Sequence, residues 1–209
     1  MAVTRFCEAP GVQTVGGTKN PDLAAIADLA PDLVVMDKEE NRSADAEALT
    51  ARGLVVHATH VRSLDDVAST LAALAAAVDC PSPQPGTLDT GHEAGLRRTA
   101  WVPIWRRPWM SISAATYGST LLAAAGIDNV YGPAPDAYPT MTLPEAAALR
   151  PDVVLAPSEP YPFKERHRAE LETVAPVFWV DGQDLFWWGS RTAGALSRLR
   201  GLAASLTDR

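Results

Sequence analysis

Cysteine is scarce in this 209-residue chain, with Cys7 and Cys80 as the only two. Two thiols in a chain this long do not make a disulfide scaffold, and both are expected to be reduced. Long apolar runs are missing: no stretch reaches the ~18 uninterrupted apolar residues of a membrane span. Met1-Ala2-Val3-Thr4-Arg5-Phe6-Cys7 has no hydrophobic signal core, so the chain as written is expected to stay in the cytoplasm. Positive charge is also short, with 18 Lys and Arg against 25 Asp and Glu and a net charge of −7. That balance lacks the electrostatic footprint of a nucleic-acid binder, and no nucleic-acid partner is expected. Catalytic signatures are absent as well. There is no Gly-x-Ser-x-Gly elbow, Walker loop, Gly-x-Gly-x-x-Gly fingerprint or Cys-x-x-Cys pair. Aromatic residues nearly vanish from the first half: of 14 Phe, Trp and Tyr, only Phe6 precedes residue 100.

What remains is a folded α/β chain. The composition, 47% hydrophobic and 21% charged, is that of an ordinary globular protein. The two halves differ in chemistry, since 14 of the 17 prolines follow residue 80. They nevertheless share a pattern. Asn20-Pro21-Asp22-Leu23 leads to Leu29-Ala30-Pro31-Asp32-Leu33-Val34-Val35-Met36. Thr142-Leu143-Pro144-Glu145 leads to Leu149-Arg150-Pro151-Asp152-Val153-Val154-Leu155-Ala156. Each reads as a capped short helix, a proline stop and a buried strand. Asn20 is the expected N-cap of the first with Pro21 at its first helical position, and Thr142-x-x-Glu145 fits a capping box. In the first unit a helix over 43–52 ending at Gly53 and a strand over 54–57 follow. In the second, a helix over 163–173 and a strand over 177–180 follow.

Between the halves, Ser63-x-x-Asp66 opens a helical pattern of Leu64, Val67, Leu71, Leu74 and Val78, which Cys80-Pro81-Ser82-Pro83-Gln84-Pro85-Gly86 must stop. Beyond it the sequence predicts a short helix over 88–97, strands over 99–104 and 110–113, and helices over 116–125 and 190–206. Strand–helix–strand repeats of this kind imply parallel sheets. The expected architecture is two Rossmann-like α/β lobes joined by a helical connection. Residues 1–80 form the N-terminal lobe with the connecting helix, 81–98 a Pro-rich break, and 99–209 the C-terminal lobe.

Val15-Gly16-Gly17-Thr18 before Asn20-Pro21-Asp22, with Pro31-Asp32-Leu33-Val34-Val35, resembles the first lobe of the helical-backbone (class III) substrate-binding proteins. Thr116-Tyr117-Gly118-Ser119-Thr120-Leu121-Leu122, Gly126-Ile127-Asp128-Asn129-Val130 and Pro151-Asp152-Val153-Val154 resemble their second lobe. These are the receptors for cobalamin and ferric siderophores that feed ABC importers, and the cobalamin-binding branch is the most similar. The resemblance implies a non-catalytic protein that binds a metal chelate between its lobes and meets an importer. The family's opening strand, loop and helix have no counterpart before Thr4-Arg5-Phe6. The first lobe is therefore expected to be truncated at its N-terminus and to leave a sheet edge open to another copy of the chain.

Seven residues are candidate ligand contacts. The resemblance places Phe6 at a cleft aromatic, and puts Asp37 where cobalamin binders carry Trp. Asp37 also heads the charged loop Asp37-Lys38-Glu39-Glu40-Asn41-Arg42 at a strand's C-terminal end, where ligands sit in open α/β sheets. Trp105 and Arg106 belong to Trp101-Val102-Pro103-Ile104-Trp105-Arg106-Arg107-Pro108-Trp109. In that run aromatic faces offer stacking and Arg offers pairing with a carboxylate, amide or phosphate; an apolar seam is the plainer alternative. Tyr138, Trp187 and Trp188 fall at positions that resemble the family's aromatic wall, and Tyr161 and Phe163 extend the same rim. Glu145 stands beside the second-lobe importer-docking position, though a capping role explains it better. His57 and His60, with Cys7, make a weak case for a soft metal site, and the bland reading of ordinary imidazoles is preferred, so no metal ligands are assigned. His92 and His167 are expected to face water. No cofactor is certain; cobalamin or a ferric chelate is the candidate ligand. An enzyme that reuses the cleft on a metabolite, or a partner-binding module without a ligand site, also remains compatible with the residues.

Overall fold

The computed structural model describes residues 2–4, 7, 9–81 and 97–207. Two compact units emerge: Met1–His60 with Ala76–Cys80, and Val61–Ala75 with Pro81–Arg209. Phe6, His92 and nearly all of the Pro-rich break lie outside the described residues.

The first unit contains two parallel strand pairs. β1 (Ala2–Val3) pairs with β2 (Gln13–Thr14), and β3 (Val34–Asp37) pairs with β4 (Val56–Thr59). Helices α1 (Leu23–Asp28) and α2 (Ser43–Ala51) connect them, and Val15, Ile26, Met36 and Leu49 form a small core. The N-cap of α1 is Asp22, not Asn20. Its carboxylate accepts from the amides of Ala24 at 3.1 Å and Ala25 at 3.0 Å. Asn20 is spent on the preceding turn: Gly16 adopts φ +92°, and a Cβ there would lie 2.7 Å from the Asn20 carbonyl oxygen. β4 also starts two residues later than the expected strand at 54, because Gly53 and Leu54 still close the end of α2 onto the carbonyls of Thr50 and Leu49.

Helix α3 (Asp66–Ala77) follows. The carboxylate half of the expected box is present, with the Ser63 amide donating to Asp66 Oδ2 at 2.8 Å. Val61, Leu64 and Val67 are buried in the main core of the second unit.

That unit is built on β5 (Arg98–Trp101), β6 (Pro103–Trp105), β7 (Trp109–Ser111), α4 (Tyr117–Ala124), β8 (Ile127–Asn129), β9 (Thr140–Met141), α5 (Leu143–Ala148) and β10 (Val153–Pro157). A 3-10 turn (Glu165–His167), α6 (Arg168–Leu171), β11 (Val177–Val180), α7 (Gly182–Phe186) and α8 (Thr192–Thr207) complete it. Four strands form a parallel sheet in the order β11-β10-β5-β8. A separate antiparallel sheet runs β6-β7-β9. The single strand expected over 99–104 is therefore two. Pro103 has no amide to continue a ladder, and the Val102 carbonyl instead accepts from Ser111 Oγ at 2.9 Å. The helix expected over 163–173 is a 3-10 turn plus one short helix.

All five residues of β10 are buried, as a central parallel strand requires. Val153 and Leu155 face a core with Leu121, Leu122, Leu196 and Leu199. Val154 and Ala156 face a second with Trp101, Phe163 and Leu171. Each fully buried Leu contributes about 1.5–3 kcal/mol relative to exposure.

The internal repeat is real in three dimensions. α1 and α5 are each six residues long and end on Leu29 and Leu149 in helical geometry. The next residues, Ala30 at φ +42° and Arg150 at φ +51°, swing into the left-handed region. Pro31 and Pro151 then forbid further helix, and β3 and β10 begin within three residues. At the other end of α5, Thr142 and Glu145 form the full capping box.

Candidate functional site: an aromatic rim at the strand ends

Of the six described candidates, Asp37 ends a parallel strand, the position at which open α/β sheets hold ligands. Asp37 closes β3 in the first unit. In the second, Trp105 and Arg106 lie in the β6–β7 hairpin beyond β5, Tyr138 in the connection after β8, and Trp187 and Trp188 beyond α7, which follows β11.

One aromatic group surrounds the hairpin. The Trp105 ring is 44% exposed and meets the Tyr161 ring edge-on, with centroids 5.6 Å apart. Tyr161 packs on Phe163 at 4.7 Å, and Phe163 lies parallel to Trp109 at 5.9 Å. Trp101, fully buried beneath, contacts Trp109 and donates its indole N–H to Met141 Sδ at 3.0 Å. The interior rings thus pack against the two outer ones, and Trp105 and Tyr161 stand nearly perpendicular, at 78°. Arg106 stands beside them, its Nε donating to Glu170 Oε2 at 2.8 Å. That bond holds its pKa above the ordinary guanidinium value. An anionic ligand group reaching Arg106 therefore competes with a carboxylate already in place.

His167 belongs to this group, contrary to the expectation that it faces water. It is buried against Tyr161 and Phe163, and its Nδ1 accepts from the Lys164 amide at 3.0 Å. Burial, then the Arg166 and Arg106 charges, pushes its pKa down.

The second group is separate. Trp187 is the C-cap of α7, and Trp188 follows it; both are half-buried, so the pair divides neither into a buried nor into a fully exposed ring. Trp188, Phe186 and Tyr138 pack on the main core. Beneath them Asp184 is 4% exposed and receives both Arg198 Nε at 2.6 Å and Nη2 at 2.5 Å. The Arg198 hydrogen bonds hold the Asp184 pKa below the usual carboxylate range, against the opposing effect of burial. No sequence signal marks a pair 14 residues apart in different helices. Glu170 as the partner of Arg106 was equally hidden, because it comes from α6, 64 residues along the chain.

Asp37 serves its own loop. It accepts from the Glu39 amide at 2.9 Å and from Thr59 Oγ1 at 2.7 Å. His60 pairs with Glu39 at 3.3 Å, Cys7 and Cys80 are free thiols, and the described residues contain no group of three or more His, Cys, Asp or Glu that could hold a metal ion. Glu145 is committed to its capping box, where the Thr142 amide holds its pKa down.

No protein-family model and no curated protein sequence matches the chain. Solved structures do. The periplasmic vitamin B12 binding protein BtuF of Vibrio cholerae is 16% identical with a TM-score of 0.79, over 100% of this chain and 89% of that one. An ABC transporter substrate-binding protein from Listeria monocytogenes is 17% identical with a TM-score of 0.79, over 97% and 89%. The periplasmic heme-binding protein RhuT from Roseiflexus sp. RS-1 is 18% identical with a TM-score of 0.73, over 95% and 84%. The chain has the two-lobed α/β fold of the periplasmic vitamin B12- and heme-binding proteins.

Proposed function

We propose that this chain is a non-catalytic binding protein of the ABC-importer receptor type, and that its ligand is a metal chelate or corrinoid-like molecule. The observation that carries the reading is the likeness in fold to vitamin B12- and heme-binding proteins across essentially the whole chain. The aromatic residues of the second unit support it: Trp105 and Tyr161 meet edge-on, and Tyr138 and Trp188 are partly buried against the main core. A well-packed ring stabilises a large planar ligand by ~1–3 kcal/mol. An ABC importer is the proposed partner.

The test is calorimetric titration with hydroxocobalamin, hemin and a ferric siderophore, with Trp quenching followed in parallel. One of the three is expected to bind at a single site. Trp187→Ala or Tyr138→Ala should weaken it by about tenfold or more, while Glu40→Ala changes it little. Absence of binding by all three removes the receptor reading. Affinities in the opposite order place the ligand on the first unit.

A further inference from the structure

α7 is five residues long, too short to persist as a helix by its own hydrogen bonds. The structure nevertheless pins it on three sides. At its start the Gly182 amide donates to Ser158 Oγ at 3.0 Å, and a Cβ on Gly182 would lie 2.6 Å and 2.7 Å from the Glu159 carbonyl oxygen and amide nitrogen. Along one flank, a Cβ on Gly118 of α4 would lie 2.9 Å from the Leu185 carbonyl oxygen. Underneath, Asp184 takes both hydrogen bonds from Arg198 of α8, and Arg191 Nη2 stands 3.6 Å away. Gly194, one turn before Arg198, leaves space for that guanidinium: a Cβ there would come within 3.2 Å of its Nη1. α7 gives the core one fully buried side chain, Leu185, and its other product is the placement of Trp187 and Trp188 directly after it.

We infer that Asp184 and Arg198 are positioning residues, whose ion pair, with a buried carboxylate and a partly exposed guanidinium, presets the Trp187–Trp188 turn as a ligand wall; the ligand half of this rests on the receptor reading above. A wall set before binding loses less conformational freedom when the ligand arrives. The pair achieves this by geometry, since two parallel N–H···O bonds fix the rotation of α7 as well as its distance from α8. Lys at position 198 retains the charge but not the fork.

The experiment labels the full chain with 5-fluorotryptophan and assigns its six fluorine resonances by single Trp→Phe substitutions. Asp184→Asn, Arg198→Met and Arg198→Lys are then compared with the unaltered protein, with and without whichever of hemin, hydroxocobalamin or ferric siderophore the latter binds. The Trp187 and Trp188 resonances are expected to shift or broaden in Asp184→Asn and Arg198→Met. Those of Trp105 and Trp109 should stay in place, and the buried Trp101 reports an intact fold. Affinity should fall about tenfold, mainly through faster dissociation, and the Lys variant should recover part of both effects. Unmoved Trp187 and Trp188 resonances overturn the inference, as does unchanged affinity once they have moved. If the unaltered protein binds none of the probes, the receptor reading fails, and the resonances alone decide whether the pair sets the turn.

Discussion

Two glycine-to-alanine substitutions should change stability in opposite directions. Gly182 begins α7, and an added Cβ would sit 2.6 Å from the Glu159 carbonyl oxygen and 2.7 Å from its amide nitrogen. Ordinary contact begins near 3.4 Å, so two backbone segments must part by the better part of an ångström. Backbone cannot rotate aside as a side-chain tip does, and the separation also stretches the 3.0 Å bond from the Gly182 amide to Ser158 Oγ. Overpacking of this kind costs about 2–3 kcal/mol. Gly201 lies within α8 with nothing within 4 Å of its added Cβ. There alanine only restricts the unfolded chain and improves helix propensity, a gain of about 0.5–1 kcal/mol. At ~2–4 °C per kcal/mol for a chain of this size, Gly182→Ala should lower Tm by about 4–12 °C and Gly201→Ala should raise it by about 1–4 °C. Differential scanning calorimetry with urea unfolding measures both. A Gly182→Ala Tm at or above that of the unaltered protein would falsify the close docking of α7 on the β10 connection.

Three further outcomes follow from the same geometry. The Arg198-bonded Asp184 has a folded pKa below its unfolded value near ~3.9. Its stabilisation is therefore present above that pH and is lost as pH falls through the lower folded pKa. Urea unfolding between pH 6 and pH 2 should show Asp184→Asn with a shallower acid loss, and parallel curves would remove the pair from the acid response. The His167 pKa is also lowered, which for a base means that burial and the Arg166 charge favour the neutral form. Protonation in the unfolded chain then draws stability away as pH drops below ~6.5. Tm should decline from pH 7.5 to 5.5 more steeply than in His167→Gln, and equal slopes refute this. Finally, Ala30→Gly and Arg150→Gly relieve left-handed residues at φ +42° and φ +51°, each expected to stabilise by about 0.5–1 kcal/mol. A lower denaturation midpoint for either would show that the corner is held by something other than backbone preference.

Local rules in the sequence carried most of the element map. Thr142 and Glu145 cap because the box needs only three residues of separation, and Pro31 and Pro151 stop their helices by covalent geometry. Val177–Val180 and the five buried residues of β10 announce themselves as short apolar runs. The misreadings have a common origin in contacts distant along the chain. Asn20 is a good cap by type, yet it sits in the Gly16 turn with its amide on the Gly17 carbonyl at 3.3 Å, and Asp22 caps the helix instead. The strand at 99–104 looks continuous until Pro103 transfers its second half to another sheet. His167 has charged sequence neighbours on both sides, but Tyr161 and Phe163 close over it. Among the candidate residues, Trp105 and Tyr161 stand out in the sequence as aromatics near predicted strands. Glu170 and Arg198 do not, because a charged residue on a helix carries no mark of the partner it will meet.

The grouping of residues 61–75 with the second unit has a consequence for synthesis on the ribosome. Val61, Leu64 and Val67 emerge early, while the strands and helices that cover them, from Ala100 through Leu206, are still to be translated. At ~5–20 residues per second the apolar stripe waits on the order of ten seconds for its partners. During that interval the nascent chain offers a chaperone an exposed stripe of this kind, and the second unit closes its core only after α8 has left the exit tunnel.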